Sequence, residues 1–353
     1  MNALVLSAFF VVCARAEDPA AVVARVLDRL ETLMTSQAGK DAREIAEMDR
    51  KAETLGREIL PLGRHAAAPL GSYARDQKRP PKARLFATVF LGLTRDPGAY
   101  SALTALLLDE EQDPEVRSAA AQGLAALDLP LDDKRTNFCG ALDRKVLPRD
   151  LLEDVLIPVE RLGCVDPAPL ERIARAFGPR PRDRDLATAR RAISALGRSR
   201  AEAPARALLR LLAYFPARGA ARAAVIAALS AKKTELTGAL AAESWPFLRE
   251  ALRSETEEPA GMVALVRLAC AYGPLAEDSL LPLAAHPDAE VLAEAAEALA
   301  RLKSAKALPR LETAVAGAMS DPRFSPKEGR PDPAALLARV EDAVAALRRL
   351  PEP

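Results

Sequence analysis

Two histidines, His65 and His286, and four cysteines hold most of the reactive chemistry open to this 353-residue chain. The histidines lie far apart in sequence, each without a second His or Cys at ligand spacing. A multi-histidine metal site cannot be built from them, so acid–base chemistry would rest on carboxylates. His65 follows Gly63-Arg64 near an expected helix end, and His286 stands before Pro287 in an expected turn. Histidines so placed cap helices or face solvent. The chain has no GxGxxG, Walker loop, GxSxG or CxxC. The sequence therefore points to no catalytic residue, no metal and no cofactor, and gives no sign of a small-molecule ligand.

Arginine is more informative. Between Arg172 and Arg200 there are nine arginines against Asp183 and Asp185, and between Glu255 and Leu299 nine carboxylates against Arg267. The whole chain is balanced, with 50 basic and 49 acidic residues, so it exerts no global pull on nucleic acid. Its parts are not balanced. Arg180, Arg182, Arg184, Arg190 and Arg191 are the candidate docking residues for an anionic partner, because guanidinium pairs bidentately with carboxylate and phosphate. That partner could be an acidic protein surface, a surface polymer or the acidic stretch of another copy. The competing reading is a set of solvated outer faces in an arginine-rich protein.

The first residues suggest a compartment. Ala3 to Val12 is apolar and is followed by Ala14-Arg15-Ala16, the form of a secretory signal too short to span a membrane. The region before it lacks Lys and Arg, and the alternative is a buried N-terminal helix. Residues 1–16 are expected to be a signal peptide, making the protein secreted or periplasmic, with a mature start at Glu17. No later segment approaches eighteen uncharged apolar residues. Outside the cytoplasm, Cys139, Cys164 and Cys270 can form at most one pair within the chain. Cys139 with Cys164 is the expected one, and three buried thiols are the alternative.

These residues must be positioned by a repeating frame. The run D-P-E-V-R-S-A-A-A-Q-G-L-A-A-L at 113–127 returns as D-A-E-V-L-A-E-A-A-E-A-L-A-R-L at 288–302, and weaker copies place anchor leucines at 91, 124, 196, 229, 268 and 299. Leu162 marks a degenerate copy in the widest gap. Asp-Pro at 96, 113, 166 and 332 reads as a cap followed by a helix start. Val116, Ala120 and Leu124 line one face. Gly197 and Gly273 fall where C-terminal caps are wanted. Each strong copy follows another amphipathic segment, giving helical hairpins of 31 to 39 residues and no strand pattern.

The run D-P-E-V-R-S-A-A-A-Q-G-L-A-A-L resembles a HEAT repeat, in particular the short bilin-lyase-type form, over roughly residues 82 to 350. The resemblance is specific at two copies. Leu292 and Gly261 stand where the family has Arg after Val. It implies an all-α, right-handed α-solenoid (an armadillo-like superhelix) that binds partners along its surface, and no single activity. Residues 17–81 are then an N-terminal helical cap, with helices at about 19–36 and 41–60, and 82–353 the repeat region. Irregular insertions are expected near 129–148 and 320–331. The paired His-Glu motifs of iron-dependent HEAT-repeat hydroxylases are absent. HEAT-like DNA glycosylases use aromatic residues at the lesion, and here Trp245 is the only tryptophan. The expected function is an exported, non-catalytic protein-interaction scaffold. The alternatives are an accessory enzyme of the HEAT-like lyase type, or a cytoplasmic nucleic-acid binder should residues 1–16 stay attached.

Overall fold

The computed structural model describes residues 18–36, 40–143, 147–254, 258–318, 321–324 and 331–350. The expected signal, residues 1–16, lies outside them, as does most of 320–331. The described residues are helical throughout, with no strand among them. They fall into two compact units, one drawn from Met1–Asn137 and Arg144–Val155, the other from Phe138–Asp143 and Leu156–Pro353.

The first unit begins with α1 (Pro19–Thr35), α2 (Ala42–Ile59), α3 (Arg64–Arg75), α4 (Pro81–Leu93), α5 (Tyr100–Leu108) and α6 (Pro114–Ala126). Asp18 and Asp41 cap α1 and α2, the latter in a reciprocal capping box with Glu44. Helix α3 packs on α4. The expected cap and the first repeat thus share one unit, with no division at residue 81. Helices α4 and α6 cross so closely that a Cβ on Gly92 would lie 2.6 Å from the Gly123 Cα.

The division between the units falls within α7 (Leu131–Leu142) and α8 (Arg149–Leu162). The expected loop-rich insertion at 129–148 is thereby corrected: α7 occupies most of it. Its sequence LDDKRTNFCGAL has little amphipathic contrast, which hides the helix from a periodicity reading.

The second unit continues with α9 (Ala168–Ala176), α10 (Asp183–Arg198), α11 (Glu202–Tyr214), α12 (Ala220–Ser230), α13 (Lys233–Thr237), α14 (Ala241–Leu252), α15 (Pro259–Ala269), α16 (Glu277–Leu280), α17 (Ala289–Arg301), α18 (Leu308–Gly317) and α19 (Pro333–Arg348). Alternate helices stack in succession: α10 on α12, α12 on α15, α15 on α17, and α17 on α19. The partner helix of each hairpin packs alongside, as α9 and α11 do on α10 and α18 on α19. This arrangement is compatible with an α-solenoid. The run Pro259–Ala285 is long and apolar enough by composition to cross a membrane, but it breaks at Gly273 (φ 62) and packs on α12 and α17.

The anchor leucines 91, 124, 196, 229, 268 and 299 are all buried, while Leu162 of the degenerate copy is only partly so. The family-type arginine has a structural task. Arg117 on α6 is buried, and its Nε donates to the Leu107 carbonyl at the end of α5 (3.0 Å). Arg222 on α12 donates to the carbonyls of Leu212 and Phe215 at the end of α11. Each satisfies an acceptor that the helix end leaves bare.

Candidate partner-docking surface

Helix α10 buries Thr188, Ala189, Ala192, Ile193, Ala195 and Leu196. Its other sides are free to carry charge. It is approached through Gly178 (φ 78) and entered at Asp183 in the left-handed region (φ 49), a conformation that aspartate tolerates better than most residues. Arg180 and Arg182 sit on this approach, both exposed. Arg184 and Arg191, seven residues apart, share one side of α10; Arg190 lies about 100° round the helix from Arg191.

Of the five predicted arginines, Arg190 alone lines a groove of about 480 Å³ between α10 and α12. Arg198 joins it there, with Glu160 of α8 at the edge and Ala224 and Ala227 of α12 on the floor. Gly197, which also lines the groove, lies inside α10 where a Cβ would stand 3.1 Å from the Ala228 Cβ, so the two helices pack closely there. Gly197 is therefore a close-packing residue rather than the expected cap, whereas Gly273 does adopt a positive φ. The groove residues missed from sequence are Arg198 and the α12 alanines. Arg198 was visible as a second arginine two turns beyond Arg190, but alanine at helical spacing reads only as core.

Among the described residues, Arg180, Arg182, Arg190, Arg191 and Arg198 have no carboxylate within ion-pair distance, while Arg184 is engaged within the protein. Other arginines of this unit are used internally. Glu171 takes Arg175 at 2.8 Å and Arg210 at 2.5 Å, and Arg175 also lies over the Tyr214 ring. Arg206 pairs with Glu202 and Glu243, and Arg172 donates to the Leu142 carbonyl at 2.7 Å. The Glu171 carboxylate raises the Arg210 pKa.

The acidic stretch is largely consumed internally. Glu294, with its side chain only 4% exposed, pairs with Arg267 and Arg339, and Glu297 pairs with Arg301 and Arg339. Glu277 and Asp278 take Lys306, and Asp288 caps α17. Glu255 and Glu257 lie outside the described residues. The stretch looked free because three of its partners, Arg301, Lys306 and Arg339, lie beyond its end in the chain.

Cys139 at the end of α7 and Cys164 after α8 are joined as a disulfide, with Cα atoms 5.8 Å apart; Cys270 is free and half-buried. His65 is exposed in the first turn of α3. His286 precedes α17, and its Nδ1 accepts the Asp288 amide hydrogen at 3.0 Å. Among the described residues no group of three His, Cys, Asp or Glu could hold a metal ion. A cavity of about 640 Å³ lies between α1 and α2, but its cations are paired, Arg29 with Glu58 and Lys51 with Glu47.

No family model matches the chain, and no curated protein does. Solved structures overlap it weakly. Human deoxyhypusine hydroxylase in complex with glycerol shares 19% identity over 80% of this chain and 98% of its own, at a TM-score of 0.31. An engineered protein shares 15% identity over 94% of this chain and 92% of its own, at 0.47. Superpositions this loose carry no argument about function.

Proposed function

We propose that this protein is an exported, non-catalytic interaction scaffold, a right-handed α-solenoid of HEAT-like hairpins that docks an acidic protein segment on α10. One observation carries the reading. Arg190 and Arg198 stand unpaired among the described residues beside an alanine floor, in a unit where other arginines are already matched to carboxylates or carbonyls. A small-residue floor lets a partner backbone come close, and two guanidinium groups at its side select carboxylates. Contacts of this kind set encounter rate and register.

The test is fluorescence anisotropy with a labelled glutamate- and alanine-rich peptide, run from low to high salt. Saturable binding that weakens with salt, and falls about tenfold or more in R190E/R198E, is the expected result. Unchanged affinity in that variant sinks the docking reading. A labelled DNA duplex in the same assay that outcompetes the peptide favours the nucleic-acid alternative. Export is tested by N-terminal sequencing of the native protein, which is expected to begin at Glu17.

A further inference from the structure

We propose that a second cavity, around His286, binds a small organic carboxylate. It measures about 520 Å³, a size suited to a small ligand, and lies among the end of α14, α15, α16 and the 3-10 turn Leu281–Ala285. Its apolar wall comes from Leu252, Met262 and Leu283. Its polar members, Arg253, Ser254, Ser279 and His286, can all donate hydrogen bonds. Ser279 is 9% exposed, and its hydroxyl makes no hydrogen bond to protein among the described residues. The hydroxyl is not closed off from solvent, so it is free to donate to a ligand in the cavity.

His286, which also lines the cavity, can supply a further donor. Its Nδ1 is occupied by the Asp288 amide, which places the neutral ring's proton on Nε2 and makes that edge a donor. Burial lowers the His286 pKa, in keeping with a neutral ring. Arg253, just past the end of α14, is exposed, lines the cavity and has no carboxylate partner among the described residues. A guanidinium, an imidazole N–H and a hydroxyl beside hydrocarbon call for a ligand with a compact acceptor headgroup, a single negative charge and an apolar body. A carboxylate on a short alkyl or aryl chain has those features. The groove on α10 shares no residue with this cavity, so either proposal can fail alone.

Hexanoate is the probe, titrated into the full chain by calorimetry, with hexanol and hexylamine as controls. Hexanoate is expected to bind saturably and more tightly than either control. R253Q is expected to weaken it about tenfold or more, and S279A about two- to tenfold. Thermal unfolding verifies that both variants stay folded. Absence of saturable hexanoate binding overturns the proposal. So does equal binding of hexylamine, or a folded R253Q with unchanged hexanoate affinity.

Discussion

The Glu294 carboxylate on α17, nearly closed off from solvent, lies 2.8 Å from a guanidinium nitrogen of Arg267 on α15 and 3.0 Å from one of Arg339 on α19. One side chain thus ties three successive stacked helices. The two cations contribute unequally, because Arg267 is 60% exposed and Arg339 only 30%. Arg339→Met is expected to cost about 2 kcal/mol, since it strips a buried acid of its better partner. Arg267→Met is expected to cost less than about 1 kcal/mol, as the pair is screened by water. Urea unfolding of both variants measures the difference, and an inverted order contradicts it.

Glu297 makes part of this network sensitive to acid. Its hydrogen bond with Arg339 holds its pKa below the ordinary 4.5, against the opposing effect of burial. A carboxylate lowered on folding stabilises the folded state above its unfolded pKa, and that stabilisation disappears as pH falls through the folded value. Wild type is therefore expected to be more stable than Glu297→Gln at pH 7, with the gap closing below pH 4.5. Urea midpoints across that range decide it.

The Cys139–Cys164 link closes a loop with a sequence separation of 25. A loop of that length restricts the unfolded chain by about 3 kcal/mol. C139S/C164S is expected to lose about that much stability, and reductant is expected to leave the variant unaffected while weakening the wild type. Denaturant curves with and without reductant test this. Intact mass before and after alkylation reports whether the bond is present in the native protein.

Gly92 and Gly123 hold α4 and α6 at backbone contact. Gly92→Ala gains about 1 kcal/mol of helix propensity, yet the added methyl must push the helices away from each other. A net loss of about 1–3 kcal/mol is expected, as for other overpacked sites. Thermal unfolding measures it, and a stabilised variant would contradict the crossing.

Much of the frame was legible because it depends on local rules. Helices expected near 19–36 and 41–60 occur as Pro19–Thr35 and Ala42–Ile59, and the six anchor leucines are buried. Asp113 shows where a local rule yields. It precedes α6 as expected but makes no side-chain cap, because its carboxylate is drawn to Arg84 at 2.5 Å. The docking groove was only half legible. Arg190 stood out as charge, but its setting depends on which helix lies beside α10, and no spacing within α10 encodes that neighbour. The acidic stretch misled for the same reason, since Arg339 lies far along the chain from the acids it neutralises.

Arg117 and Arg222 each seal the end of the helix preceding their own. A helix copied or lost without its mate would carry away the seal and strand a bare carbonyl. Duplication and deletion in such a gene should therefore succeed in steps of one whole hairpin, and breakpoints should cluster between hairpins rather than within them.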